Sequence, residues 1–217
     1  MATERKPSAS DIVYLFGDRF AKKPRMGGAQ LVYGGHKVKL NDLGDKLLLT
    51  AFAGLASKGY LGLEAVEDKQ LRLFTSKDVL VTRLSGPAEP LYGLEAAIWN
   101  NITADPKQDR VRPIISRITG GTCPSPWGVL VDLTKSGLAE QGYLNVDKEE
   151  LRFRPDKVRW SANEDLIRPL EGKVGEVKAL LSSLEKRDGA LYKQLAESVK
   201  KGIRAMVESP DTDFDFD

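Results

Sequence analysis

Two residue types are nearly missing from this 217-residue chain, which has one cysteine, Cys123, and one histidine, His36. A lone cysteine excludes an internal disulfide and fits a reducing compartment. With so few sulfur and imidazole groups, the usual zinc ligand sets, histidine bases and Cys–His pairs lack members. Long apolar runs are also missing. The longest, around residues 47–53, is far shorter than the ~20 residues that span a bilayer. The chain opens without the charged-then-apolar pattern of a secretory signal, so it is expected to be cytoplasmic. The glycine pairs Gly27-Gly28 and Gly34-Gly35 lack the spacing of a nucleotide-binding loop. Glu64, Glu67 and Asp68 fall in an expected turn, and Thr119, Thr122, Cys123 and Ser125 have no histidine near them. The reading is therefore a non-enzyme with no catalytic constellation, metal or cofactor.

With 41% hydrophobic residues the chain can build a core, and its organising feature is a repeat. Gly59-Tyr60-Leu61 is followed by Leu71-Arg72-Leu73. Some eighty residues later, Gly142-Tyr143-Leu144 is followed by Leu151-Arg152-Phe153. Each copy comes after an apolar helical run, so each reads as a helix stopped by a glycine cap and followed by a short hairpin. The expected fold is mainly α with small β-hairpins: two winged-helix-like helix–hairpin units plus C-terminal helices. Residues 11–208 form a single compact domain of two similar halves, about 40–84 and 90–160. Residues 1–10 are expected to be disordered, as is the tail 209–217. That tail carries Asp211, Asp213, Asp215 and Asp217 around Phe214 and Phe216, which leaves the rest of the chain more basic than the net charge of +2.

Along the chain, residues 11–20 are expected to form a short amphipathic helix with Ile12, Leu15, Phe16 and Phe20 on one side and Lys22, Lys23 and Arg25 after it. Such a segment either staples onto the core or lies on a membrane surface. A strand is expected at 30–33. Asn41 or Asp42 caps the first long helix, which is apolar on most sides and therefore central. Residues 85–90 form a linker, and helices follow at 91–102 and 111–118. Ser125 caps a further helix with Pro126 at its first position. Asn163 caps one that Pro169 interrupts, and residues 174–207 supply one or two more.

The second hairpin carries the functional lean. Leu151, Phe153, Val158 and Trp160 alternate with Arg152, Arg154, Lys157 and Arg159, so one face is expected to be apolar and the other basic. At roughly 1 kcal/mol per basic residue near an anionic surface, four such residues give about 4 kcal/mol, a dissociation constant near millimolar. The candidate lipid-binding residues are Arg152, Phe153, Arg154, Lys157, Arg159 and Trp160.

The order of parts over about residues 40–185 resembles the Golgi phosphoprotein 3 family. The apolar helix ends in Leu55-Ala56-Ser57-Lys58-Gly59-Tyr60-Leu61-Gly62-Leu63-Glu64, like the family's leucine-rich helix, Arg-Gly turn and Leu-x-Leu-Glu strand. Pro90, Leu91, Leu94, Glu95 and Ala96 are similar to its next helix. Ile118-Thr119-Gly120-Gly121, then Trp127, then Leu138 to Leu144 before the Leu-Arg-Phe hairpin are similar to its second half. The resemblance implies a mostly helical, peripheral membrane protein that binds phosphatidylinositol 4-phosphate and sorts protein cargo on the cytosolic face of the Golgi in eukaryotes. It also implies a hairpin that touches membrane and self-associates. The family's headgroup arginines lie on two helices where this chain offers Lys135 and Lys46. The expected function is a non-enzymatic adaptor for anionic phosphoinositide membranes and protein cargo, with homo-oligomers as a further partner. The alternative is a tandem winged-helix module binding DNA or protein; the mixed signs of Asp132, Lys135 and Glu140 count against nucleic acid.

Overall fold

Helix α2 (Leu40–Ser57) runs through the middle of the fold because it is apolar all round: Leu43, Leu47, Leu48, Leu49, Ala51, Phe52, Ala53 and Leu55 are all buried. In this computed structural model, which describes residues 6–70, 74–103, 109–149 and 157–207, five helices pack around it. They are α1 (Ala9–Leu15), α3 (Gly93–Asn100), α5 (Pro126–Glu140), α7 (Lys173–Arg187) and α8 (Gly189–Ala205). Helix α4 (Val111–Thr119) and the short α6 (Glu164–Ile167) complete the helical part. Among the described residues the protein is mainly helical, with three two-stranded antiparallel hairpins. No helix there is long and apolar enough to cross a membrane.

The repeat is a structural one. Helix α2 ends with Gly59 in the left-handed region, φ 73°, with Gly59 N–H donating to Ala56 O at 3.0 Å and Tyr60 N–H to Leu55 O at 3.0 Å. Helix α5 ends the same way at Gly142, φ 85°, with Gly142 N–H donating to Ala139 O and Tyr143 N–H to Leu138 O, both at 2.9 Å. Two bonds of this kind around a left-handed glycine satisfy the last carbonyls of a helix. Each cap launches a hairpin. The first pairs β3 (Leu61–Gln70) with β4 (Phe74–Arg83), and the second pairs β5 (Leu144–Glu149) with β6 (Lys157–Ala162). The tyrosine carbonyl then closes each hairpin, accepting from Leu84 N–H at 2.9 Å in one and from Asn163 N–H at 3.0 Å in the other. Helices α2 and α5 run in the same direction: Gly44 lies against Trp127 near their starts, and both caps lie near Asp11 and Glu95.

The two hairpins differ in what covers them. Helix α8 packs on the first, and the Gln194 side chain donates to Val66 O at 2.9 Å and to Asp78 O. Helix α4 fastens it from another side, with Arg112 donating to Lys77 O, and Val81 N–H donates to Asp109 O at 3.1 Å. The second hairpin packs chiefly on α5.

Some local expectations are corrected. Residues 8–10 are not disordered: Ser8 caps α1, its hydroxyl accepting from Asp11 N–H at 3.1 Å while its own N–H donates to the Asp11 carboxylate at 2.9 Å. This reciprocal box starts the helix two residues early, and a 3₁₀ turn, Gly17–Arg19, replaces its last part. The segment is stapled onto the core, with residues 10–15 all buried. The strand expected at 30–33 is a hairpin of β1 (Ala29–Gln30) and β2 (Lys37–Val38), turned by left-handed Gly34 and Gly35. Asp42 does not cap α2, which starts at Leu40; its carboxylate accepts from Lys22 N–H at 2.7 Å. The tail 209–217 lies outside the described residues.

Candidate functional site

Strand register decides what the second hairpin can present. Val146 stands opposite Trp160 and Lys148 opposite Val158; on the other face Asp147 stands opposite Arg159 and Glu149 opposite Lys157. The expected basic face thus receives Asp147 across from Arg159, and opposite charges in such positions attract. Arg152, Phe153 and Arg154 lie outside the described residues. On the apolar face Val146 and Val158 remain 40% and 44% exposed. Trp160 is half-buried with the Lys135 ammonium 5.6 Å from its ring centroid, within cation–π range. Lys135 also pairs with Asp132 at 3.0 Å. The Trp127 indole N–H donates to Asp45 at 3.0 Å, and burial raises the Asp45 carboxyl above its ordinary range. Lys135 is thus engaged by Asp132 and Trp160, and Lys46 follows Asp45.

A stronger positive surface includes Lys22, Lys23 and Arg25, the basic cluster that follows the first helix. Between Asp18 and Asp42 the chain has no acidic residue, and it holds Arg19, Lys22, Lys23, Arg25, Lys37 and Lys39. The first small hairpin folds the two arms of this segment together: Gln30 pairs with Lys37, and Lys39 N–H donates to Lys22 O at 2.8 Å. Arg19 turns away to pair with Glu171. Lys22, Lys23, Arg25, Lys37 and Lys39 are exposed. Met26 projects beside them, 92% exposed. The turn after Met26 needs Gly28, where φ is 102° and a Cβ would lie 2.6 Å from Pro24 Cγ and 2.7 Å from Val38 O. The start of α2 lies at the same place, where the Asp42 carboxylate accepts from Lys22 N–H at 2.7 Å and offsets part of the positive charge. The detectable signal was the absence of one charge sign over the whole segment, not a motif.

A third feature sits where α2 and α5 end. Asp11 and Glu95, each 2% exposed, line one cavity with Lys58 and Gln141. Lys58 Nζ donates to Glu95 Oε2 at 2.9 Å, and Gln141 Nε2 donates to Asp11 Oδ2 at 3.1 Å. Burial raises both carboxyls above their ordinary values, opposed at Glu95 by the Lys58 charge and at Asp11 by its hydrogen bonds to Ser8 and Gln141.

A scan of protein-family models and searches of curated proteins and of solved structures returned no match to this chain.

Proposed function

We propose that the protein is a non-enzymatic peripheral adaptor that docks on anionic, phosphoinositide-type membranes at the cytosolic face and presents protein cargo there. The observation that carries this reading is the basic surface of Lys22, Lys23, Arg25, Lys37 and Lys39 around the exposed Met26, built by a segment with no acid between Asp18 and Asp42. Five basic residues at about 1 kcal/mol each, with about 1.5–3 kcal/mol for a buried methionine, give about 6.5–8 kcal/mol, a dissociation constant of roughly 1–20 μM. An exposed apolar side chain amid cations favours a lipid interface over a nucleic acid, which offers phosphates without an apolar layer. The winged-helix-like units serve as the scaffold. The second hairpin, with its exposed valines and with Arg152, Phe153 and Arg154 in the segment between its strands, is the auxiliary contact and the self-association element. The resemblance to the Golgi phosphoprotein 3 family supports the same assignment.

Co-sedimentation with liposomes tests it. The chain is expected to pellet with phosphatidylinositol 4-phosphate or phosphatidylserine vesicles and to stay in solution with neutral ones. Changing Lys22, Lys23, Arg25, Lys37 and Lys39 to glutamate is expected to abolish pelleting, and Met26→Ser to weaken it about tenfold or more. Equal pelleting with neutral and anionic vesicles would overturn the reading, as would a salt-dependent gel shift on DNA in the absence of lipid binding.

A further inference from the structure

The basic surface around Met26 has an acidic counterpart in the same chain. Residues 208–217 bring Glu208, Asp211, Asp213, Asp215 and Asp217 together with Phe214 and Phe216, and they hold no lysine or arginine. The surface brings five exposed cations, Lys22, Lys23, Arg25, Lys37 and Lys39, and one projecting apolar side chain, Met26. Among the described residues, none of those five side chains pairs with a carboxylate. A phenylalanine ring is a favourable neighbour for a thioether. The two segments therefore match in charge number, charge sign and apolar content.

The fold also brings them to one side of the molecule. Val207 lies in a parallel bridge beside Cys123, and Cys123 N–H donates to Met206 O at 2.8 Å. A little further on, Trp127 lies against Gly44 and its indole N–H donates to Asp45 at 3.0 Å. The Asp45 carboxyl, raised by burial, is drawn back by that indole and by the charges of Lys200 and Arg204. Helix α8 thus ends beside the first two turns of α2, with Lys200 and Arg204 exposed there. Asp42 and Asp45, the acids of those turns, are engaged by Lys22 N–H and by the Trp127 indole. From Asp45 back to Lys39 is about 9 Å of helix rise, and the segment after Val207 reaches about 33 Å when extended. We propose that residues 208–217 dock in cis on the surface of Lys22, Lys23, Arg25, Lys37 and Lys39 and shield it until an anionic membrane displaces them. A tether of this length sets an effective concentration in the millimolar range, so a pairing too weak to join two separate molecules holds within one. The consequence for membranes rests on the reading given above, whereas the docking itself does not.

Zero-length carbodiimide cross-linking of the full chain, dilute and without lipid, tests the docking. Digestion and mass spectrometry are expected to recover the 208–217 carboxylates joined to Lys22, Lys23, Lys37 or Lys39 from the monomer band. Links to Lys200 or Lys201 alone, links confined to a dimer band, or no link from the tail would overturn the proposal. Co-sedimentation with phosphatidylserine vesicles then compares the full chain, a chain ending at Val207, and the double variant Phe214→Ser, Phe216→Ser. Truncation is expected to tighten vesicle binding about two- to tenfold, the factor required if the tail covers the surface in about half to nine-tenths of the molecules. The double variant keeps every tail charge, so it too is expected to bind vesicles more tightly. Unchanged or weaker binding in that variant would mean that the tail acts by charge repulsion alone and would overturn the docking. Tail links without vesicle binding by either chain would sink the membrane reading and leave the docking standing, and vesicle binding without tail links would do the reverse.

Discussion

Gly59 and Gly142 hold the same left-handed cap on two different helices, and an added Cβ at either would meet nothing within 4 Å. Their requirement is conformational, so alanine at either position is expected to cost about 1 kcal/mol, read as a lower urea midpoint with an unchanged slope. Gly137 is different: a Cβ there would lie 2.5 Å from Gly93 Cα and N, where α3 and α5 cross. Gly137→Ala is expected to cost more than either cap variant because backbone must move. The buried carboxyls give a pH prediction. A carboxyl raised by folding stabilises fully below its ordinary value, 4.5 for Glu95 and 3.8 for Asp11, and that contribution is lost as pH rises through the raised value. Glu95→Gln carries no such proton, so its melting temperature relative to the parent chain is expected to rise from about pH 4 to neutrality; a constant difference would contradict the assignment. The caps were legible because glycine directly follows an apolar helical run. Asp11 was not, since a charged residue early in a helix reads as solvated until its Ser8 and Gln141 partners are seen.

At the scale of elements, helix positions followed from apolar spacing, Pro126 and the glycine caps; Ser125 and Asn163 stand at the expected cap positions without a side-chain capping bond, and the structure departs mainly at helix starts. Hairpin function was less legible. Alternation along β6 correctly separates Val158 and Trp160 from Arg159, but one strand says nothing about its partner, and β5 sets Asp147 opposite Arg159. The cover over the first hairpin depends on α8, more than a hundred residues further along the chain. Gln194→Ala removes two hydrogen bonds to that hairpin and is expected to cost about 1–2 kcal/mol in urea unfolding. Replacing residues 150–156 with Asn-Gly is expected to leave the urea midpoint nearly unchanged, because the second hairpin leans chiefly on α5.

At the scale of the whole molecule, charge is segregated rather than large. The net charge of +2 hides one segment with no acid and one terminal stretch with no base. The basic surface was visible in the sequence as a gap between Asp18 and Asp42. The hairpin that folds Lys37 and Lys39 back beside Lys22 was not, because two-residue strands leave no periodicity. Vesicle binding through this surface is expected to weaken steeply as the screening length falls from about 10 Å at 0.1 M salt to about 3 Å at 1 M. The part that survives high salt is expected to vanish in Met26→Ser.

The reliance of the first hairpin on α8 also sets an order in time. Strands β3 and β4 leave the ribosome early, while the helix that covers them is the last of those described here to be made. At about 5–20 residues per second, the nascent hairpin waits several seconds to tens of seconds with Val66 O and Asp78 O unmet by Gln194. In that interval the growing chain offers open strand edges of the kind chaperones shield.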